Sequence, residues 1–128
     1  MAQVLLVGLA GGLGTIARYL VGLWAAKTLG TGFPYGTLIV NVVGCFLLSF
    51  VVQLALSTAL VSPTLRLILT TGFMGGFTTY SSFNYETTSL LRGSNGLLAV
   101  ANLGVTLVAC FVAGLLGLAL AKRFVVPG

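Results

Sequence analysis

Four runs of about twenty or more mostly apolar residues, parted only by short turns, leave this chain one solvent in which it can fold. They cover residues about 4–26, 36–57, 64–91 and 97–121. A hydrocarbon layer about 30 Å thick is crossed by roughly 20 apolar helical residues, so the 128 residues hold four crossings and little else. Only 5% of residues are charged, against roughly 25% in an ordinary soluble domain, which removes the polar coat a water-facing core needs. The expectation is an all-α membrane protein, a single four-helix transmembrane domain over residues 1–128 with no extramembrane catalytic module.

The net charge of +5 comes from Arg18, Lys27, Arg66, Arg92, Lys122 and Arg123 against one acid, Glu86. Apart from Arg18 these cations flank the apolar runs, which is membrane-edge charge and not a nucleic-acid patch. The first run lacks a basic lead-in, holds Arg18 and is longer than a signal h-region, so it reads as a retained span. With four crossings, Arg66, Lys122 and Arg123 share the side of the termini, and Lys27 and Arg92 lie opposite. If Arg18 snorkels to the far side the count is even, and the positive-inside rule sets no orientation. Two readings stay open: insertion both ways with pairing as an antiparallel homodimer, or one orientation fixed by a partner.

Catalytic chemistry has few residues to work with. There is no histidine, no aspartate and one glutamate, so a triad, a carboxylate pair and a zinc site are all excluded. Cys45 and Cys110 fall inside apolar runs without metal-ligand spacing and read as packing thiols.

Glycines crowd the first run, where Gly8 and Gly12 have the small-xxx-small spacing of closely packed membrane helices. Ser62-Pro63 reads as an N-cap with proline at the first helical position. The second run carries Thr37, Asn41, Cys45 and Ser49 at intervals of four, and the fourth carries Asn102, Thr106 and Cys110. Each set forms an uncharged polar stripe on one helix face. An unpaired amide is costly in hydrocarbon, so Asn41 and Asn102 face protein or water. Interhelical hydrogen bonding, at about 0.6 kcal/mol each, and a polar route are both compatible with the stripes.

The third run departs from a lipid-facing helix. Gly75-Gly76 and the hydroxyl-rich stretch Thr78-Thr79-Tyr80-Ser81-Ser82 sit at its middle. Adjacent glycines weaken a helix by about 1 kcal/mol each, and open backbone in a membrane is tolerated only when protein shields it or it lines a cavity. The third helix is therefore expected to be broken at mid-membrane, freeing carbonyls near Gly75 to Thr78 for a cation; a close crossing of intact helices is the alternative. Beyond the glycines, Tyr80, Phe83 and Glu86 recur every three residues. The positive edge of an aromatic ring can attract an anion weakly enough to let it leave.

These residues carry a pattern. Gly14-Thr-Ile-Ala-Arg18-Tyr19, Gly36-Thr-Leu-Ile-Val-Asn41-Val-Val-Gly44 and Gly72-Phe-Met-Gly-Gly-Phe-Thr-Thr-Tyr-Ser-Ser-Phe83 with Glu86 resemble the Fluc (CrcB-like) fluoride channel family over essentially the whole chain. The resemblance implies a passive fluoride channel in the bacterial inner membrane that lowers cytoplasmic fluoride. It implies a dual-topology homodimer with two antiparallel pores. It also implies a structural sodium ion at the dimer interface, held by main-chain carbonyls that fall on Gly75 and Thr78. The pore-lining asparagine falls on Asn41, the ring-edge aromatics on Tyr80 and Phe83, the polar track on Thr37, Thr79 and Glu86, and the first-helix arginine on Arg18. Tyr80 stands where the family most often has phenylalanine, Asn102 where a tyrosine is expected, and Thr106 at a familiar serine position.

Other functional classes fit less well. A proton-coupled exporter of the small multidrug-resistance type needs a carboxylate in the first span, where this chain has only Arg18. A noncatalytic assembly subunit of a larger membrane complex would not form an active homodimer.

Overall fold

The structure is a computed structural model that describes residues 1–125. Among the described residues every regular element is helical. α1 spans Ala2–Leu29, α2 spans Tyr35–Ser57 and α6 spans Gly96–Lys122, and these three are long and apolar enough to cross a membrane. Between α2 and α6 the chain is built of shorter pieces: α3 (Pro63–Leu67), a π-helical segment (Ile68–Met74), α4 (Gly75–Phe77) and α5 (Tyr80–Arg92).

Local chemistry sets the ends of these elements. α1 stops at Gly30, whose φ of 87° is a left-handed conformation that only glycine takes without steric cost. α3 starts as its sequence reads: Pro63 opens the helix, and the Ser62 hydroxyl accepts the Leu65 amide at 3.1 Å. The π segment widens the helix just before the glycines, a device that in membrane and soluble helices alike accompanies functional sites.

The helical dihedrals do not stop at the double glycine. Gly75 is helical, with φ −59° and ψ −38°, and the chain becomes extended two residues after Gly76, at Thr78 (φ −87°, ψ 158°) and Thr79 (φ −154°, ψ 117°). α5 then begins under a new cap, the Thr79 hydroxyl accepting the Ser82 amide at 3.2 Å.

The glycines serve close packing. A Cβ on Gly76 would run into the carbonyl of Gly11, and one on Gly14 into the backbone of Phe73 and Phe77, so α1 lies backbone to backbone on the π segment and α4. The Gly8 and Gly12 pair, expected to make the close approach, faces open space in the protomer. Spacing shows that a small-residue stripe exists; the rotation of the helix chooses which stripe meets a neighbour. Gly14→Ala is accordingly expected to lower stability by about 3 kcal/mol, the upper end of ordinary overpacking, whereas Gly8→Ala should be neutral or slightly stabilising. Loss of monodisperse protein on heating in detergent measures both; equal curves would contradict the packing.

Val40, Met74 and Phe77 form the small buried core, with Ala17, Val21, Leu47 and Phe73 against them. Large apolar side chains elsewhere point outward, Leu107 at 74% and Phe111 at 68% exposure, as surfaces solvated by lipid do. The molecule is a multi-pass membrane protein.

Candidate functional site

Around the extended residues, side chains from α1 and α2 take over hydrogen bonds that a continuous helix would supply itself. The Asn41 side chain meets Thr79 twice. Its Nδ2 donates to the Thr79 carbonyl at 3.0 Å, and its Oδ1 accepts the Thr79 amide at 2.9 Å. The amide thus acts like one residue of a neighbouring β-strand and satisfies both main-chain groups of an extended residue. Arg18 reaches the same place from α1, its Nε donating to the Gly76 carbonyl at 3.0 Å. The arginine therefore contacts the backbone at the interruption.

Gly44 makes the approach of α2 possible, since a Cβ there would collide with the Thr78 methyl. With the Thr79 amide turned to Asn41, the Gly75 carbonyl loses the donor four residues ahead that a continuing helix would give it. Among the described residues, the Thr78 carbonyl receives no hydrogen bond either. Two main-chain carbonyl oxygens within three residues, Gly75 and Thr78, are thus left without a hydrogen-bond donor among the described residues.

Following the interruption, the Tyr80 and Phe83 rings meet edge-on, centroids 5.8 Å apart and planes inclined by 61°. Phe83 is half-buried, while Tyr80 is 79% exposed. The Thr79 hydroxyl donates to Ser82 Oγ at 3.1 Å, so its own oxygen is already turned toward the α5 cap.

Farther along α5, Thr37 donates to Glu86 Oε1 at 2.8 Å, and Glu86 Oε2 is buried without a partner among the described residues. These two residues line a cleft of about 430 Å³ between the α1–α2 turn and α5, along with Phe33, Tyr35, Ser89 and Asn95. A buried carboxyl oxygen without a protein partner beside a cleft of this size leaves room for water or another polar species to satisfy it. The only carboxylate lies on α5 and not in the first helix, where a proton-coupled exporter would carry it.

Asn102 and Thr106 sit apart from this cluster. Asn102 is fully buried at 1% exposure; its Nδ2 donates to Thr87 Oγ1 at 2.8 Å and its Oδ1 accepts from Thr106 at 3.3 Å. Thr87 in turn donates to the Phe83 carbonyl at 2.7 Å. The chain from Thr106 to the Phe83 backbone holds α5 on α6, the interhelical bonding that an amide in a membrane helix commonly supplies. The spacing of four puts Thr87 on the strip of Phe83, whereas its bond to Asn102 is a contact between helices that spacing does not show.

The arrangement offers neutral donors, ring edges and open carbonyls, and no nucleophile with a base. Its resemblance to known proteins is extensive. The family described as CrcB-like protein, Camphor Resistance (CrcB), matches residues 5–118. The chain is 51% identical to the Fluoride-specific ion channel FluC of Sorangium cellulosum, across 93% of this chain and 94% of that protein. Against the protein of the same name from Chlorobium chlorochromatii identity is 49%, covering 94% and 93%, and against that of Clostridium perfringens 44%, covering 92% of each. With a family match over nearly the whole length and relatives this similar from end to end, the chain belongs to the CrcB-like family.

Proposed function

We propose that the chain is a fluoride-selective passive channel and not an enzyme, and that its pore wall is built from Asn41, Thr79, Tyr80, Phe83, Thr37 and Glu86, with Arg18 steadying the interruption and Asn102 and Thr106 supporting the wall from α6 through Thr87. The observation that carries this reading is the extended Thr78–Thr79 backbone held by Asn41 and Arg18. A small, strongly hydrated anion gives up its water only to a dense set of hydrogen-bond donors, and it leaves again only if no fixed charge cluster traps it. The names of the relatives support fluoride as that anion.

In this reading the pieces from α3 to α5 together make a third crossing, broken at mid-membrane, so that residues 1–128 form one four-helix domain. An exposed polar face supports assembly as an antiparallel homodimer with two pores: Thr71, Gly75, Ser81, Asn84 and Thr88 are exposed, and Tyr85 is 65% exposed. Hydroxyl and amide groups facing hydrocarbon would be costly, and a second copy of the same face would cover them. The near-even charge on the two sides fits insertion in both orientations. The relatives are bacterial, which supports placement in the bacterial inner membrane.

The test is fluoride efflux from proteoliposomes recorded by electrode, with chloride as control. Fluoride and not chloride should leave; chloride flux, or no flux from well-folded protein, would overturn the proposal.

The Gly75 and Thr78 carbonyls would hold a structural sodium ion between two protomers. A sodium ion there would supply a fixed positive charge, the two carbonyls would be its ligands, and Asn41 keeps the Thr79 amide from closing back onto Gly75. Exchange of sodium for a large organic cation is expected to weaken the dimer in detergent and reduce efflux. Indifference of both would remove sodium from the account.

A further inference from the structure

The two cysteines have chemistry that anion conduction does not use. α2 and α6 pack closely along their length, and near the cysteines a Cβ on Gly114 would rest 3.3 Å from Ser49 Oγ and 3.9 Å from the Cys45 carbonyl. Cys110 and Cys45 each lie one helical turn back from that Ser49–Gly114 contact, which brings them to the same level of the helix pair. Both are free, half-buried thiols, and they lie within interaction range of one another. They form the rung of the two polar stripes next to Asn41 and Thr106.

Facing thiols in an apolar wall have two options. A disulfide needs the sulfurs drawn together to about 2.05 Å with a restricted dihedral, and an oxidant as well. A linearly coordinated soft cation needs them only two metal–sulfur bonds apart. With bonds near the roughly 2.3 Å found at zinc, that distance is about 4.6 Å, close to the separation of thiols in ordinary contact. Thiolates select soft cations, and zinc-like ions that require four ligands find only two here. A divalent soft cation replaces the two thiol protons, and both are released to water. The resulting bis-thiolate is neutral, so no net charge is buried in hydrocarbon.

We propose that Cys45 and Cys110 form a two-thiolate site for a soft, linearly coordinated divalent cation of the mercury(II) kind, and that the filled site obstructs the anion route one helical turn from Asn41. The obstruction rests on the conduction reading above; the binding does not.

The full-length protein in liposomes is titrated with mercuric nitrate in chloride-free buffer, and free thiols are counted with a maleimide after denaturation. One equivalent per chain should remove both thiols from the count without linking chains on a denaturing gel. In competition with a small monothiol, Cys45→Ser and Cys110→Ser should each retain mercury at least about 100-fold less well, the usual loss when the second of two linked contacts goes. Fluoride efflux should stop in the wild type, and each variant, measured against its own rate, should lose that sensitivity. One thiol left free at one equivalent, mercury-linked dimers, or serine variants that hold mercury as the wild type does would overturn the site. Undiminished efflux with both thiols occupied would overturn the obstruction. If untreated protein releases no fluoride, the channel reading fails, while the thiol count still decides the site.

Discussion

Asn41→Leu is expected to reduce fluoride efflux to the level of protein-free liposomes. Leucine has the branched shape and heavy-atom count of asparagine, with somewhat more bulk, but can neither accept the Thr79 amide nor donate to the Thr79 carbonyl, the two contacts at 2.9 and 3.0 Å that hold the extended backbone. Each main-chain group left unpaired in an apolar setting costs about 1–3 kcal/mol, so the pair costs about 2–6 kcal/mol. Since about 1.4 kcal/mol is a factor of ten in an equilibrium, that loss is enough to move Thr79 out of its conformation or to make the protein unstable. Amide exchange at Thr79 distinguishes these outcomes from a passive packing role: the amide should be protected in the wild type and exchange quickly in the variant. Wild-type efflux from Asn41→Leu would show that the asparagine merely fills space, and the pore wall would have to be drawn elsewhere.

Phe83→Ile should likewise abolish flux while leaving the fold intact. Isoleucine preserves an apolar side chain but has no ring, so the electropositive edge that can face an anion is gone. The backbone at this position should hold, because its carbonyl is tied through Thr87 to Asn102, and none of those bonds involves the phenylalanine side chain. Phe83→Tyr keeps the edge and should conduct. If Phe83→Ile conducts at the wild-type rate in the same liposomes, the ring edges are packing surfaces only.

Much of the helical frame could be read from residue order. The apolar runs at about 4–26, 36–57 and 97–121 correspond to Ala2–Leu29, Tyr35–Ser57 and Gly96–Lys122, because length and hydropathy are properties of contiguous residues. The cap at Ser62 with Pro63 behind it is equally local. The unusual character of the third run was visible from its glycines and hydroxyls, yet its details were not: the extended residues are Thr78 and Thr79, and the glycines themselves remain helical. Gly76 is small because Gly11 lies against it, and that contact cannot be seen from the double glycine alone.

Asn41 illustrates the same boundary within the site. Its place on a polar stripe of α2 follows from a period of four, and the cost of an unpaired amide in hydrocarbon requires some partner. That the partner is the backbone of a residue 38 positions away depends on the rotation and depth of two helices, as does the reach of Arg18 across 58 positions to the Gly76 carbonyl.

Residue order by itself determined the solvent, the helical class, the positions of most helix ends and the inventory of neutral donors, since each depends on neighbours in the chain. Only the tertiary structure decided which glycine stripe bears a helix contact, where the backbone opens, which amide clamps it, and that two cysteines 65 positions apart in the sequence face one another. Helix register and rotation are set by the combined packing of all the elements, and a periodic pattern is compatible with several of them until that packing selects one.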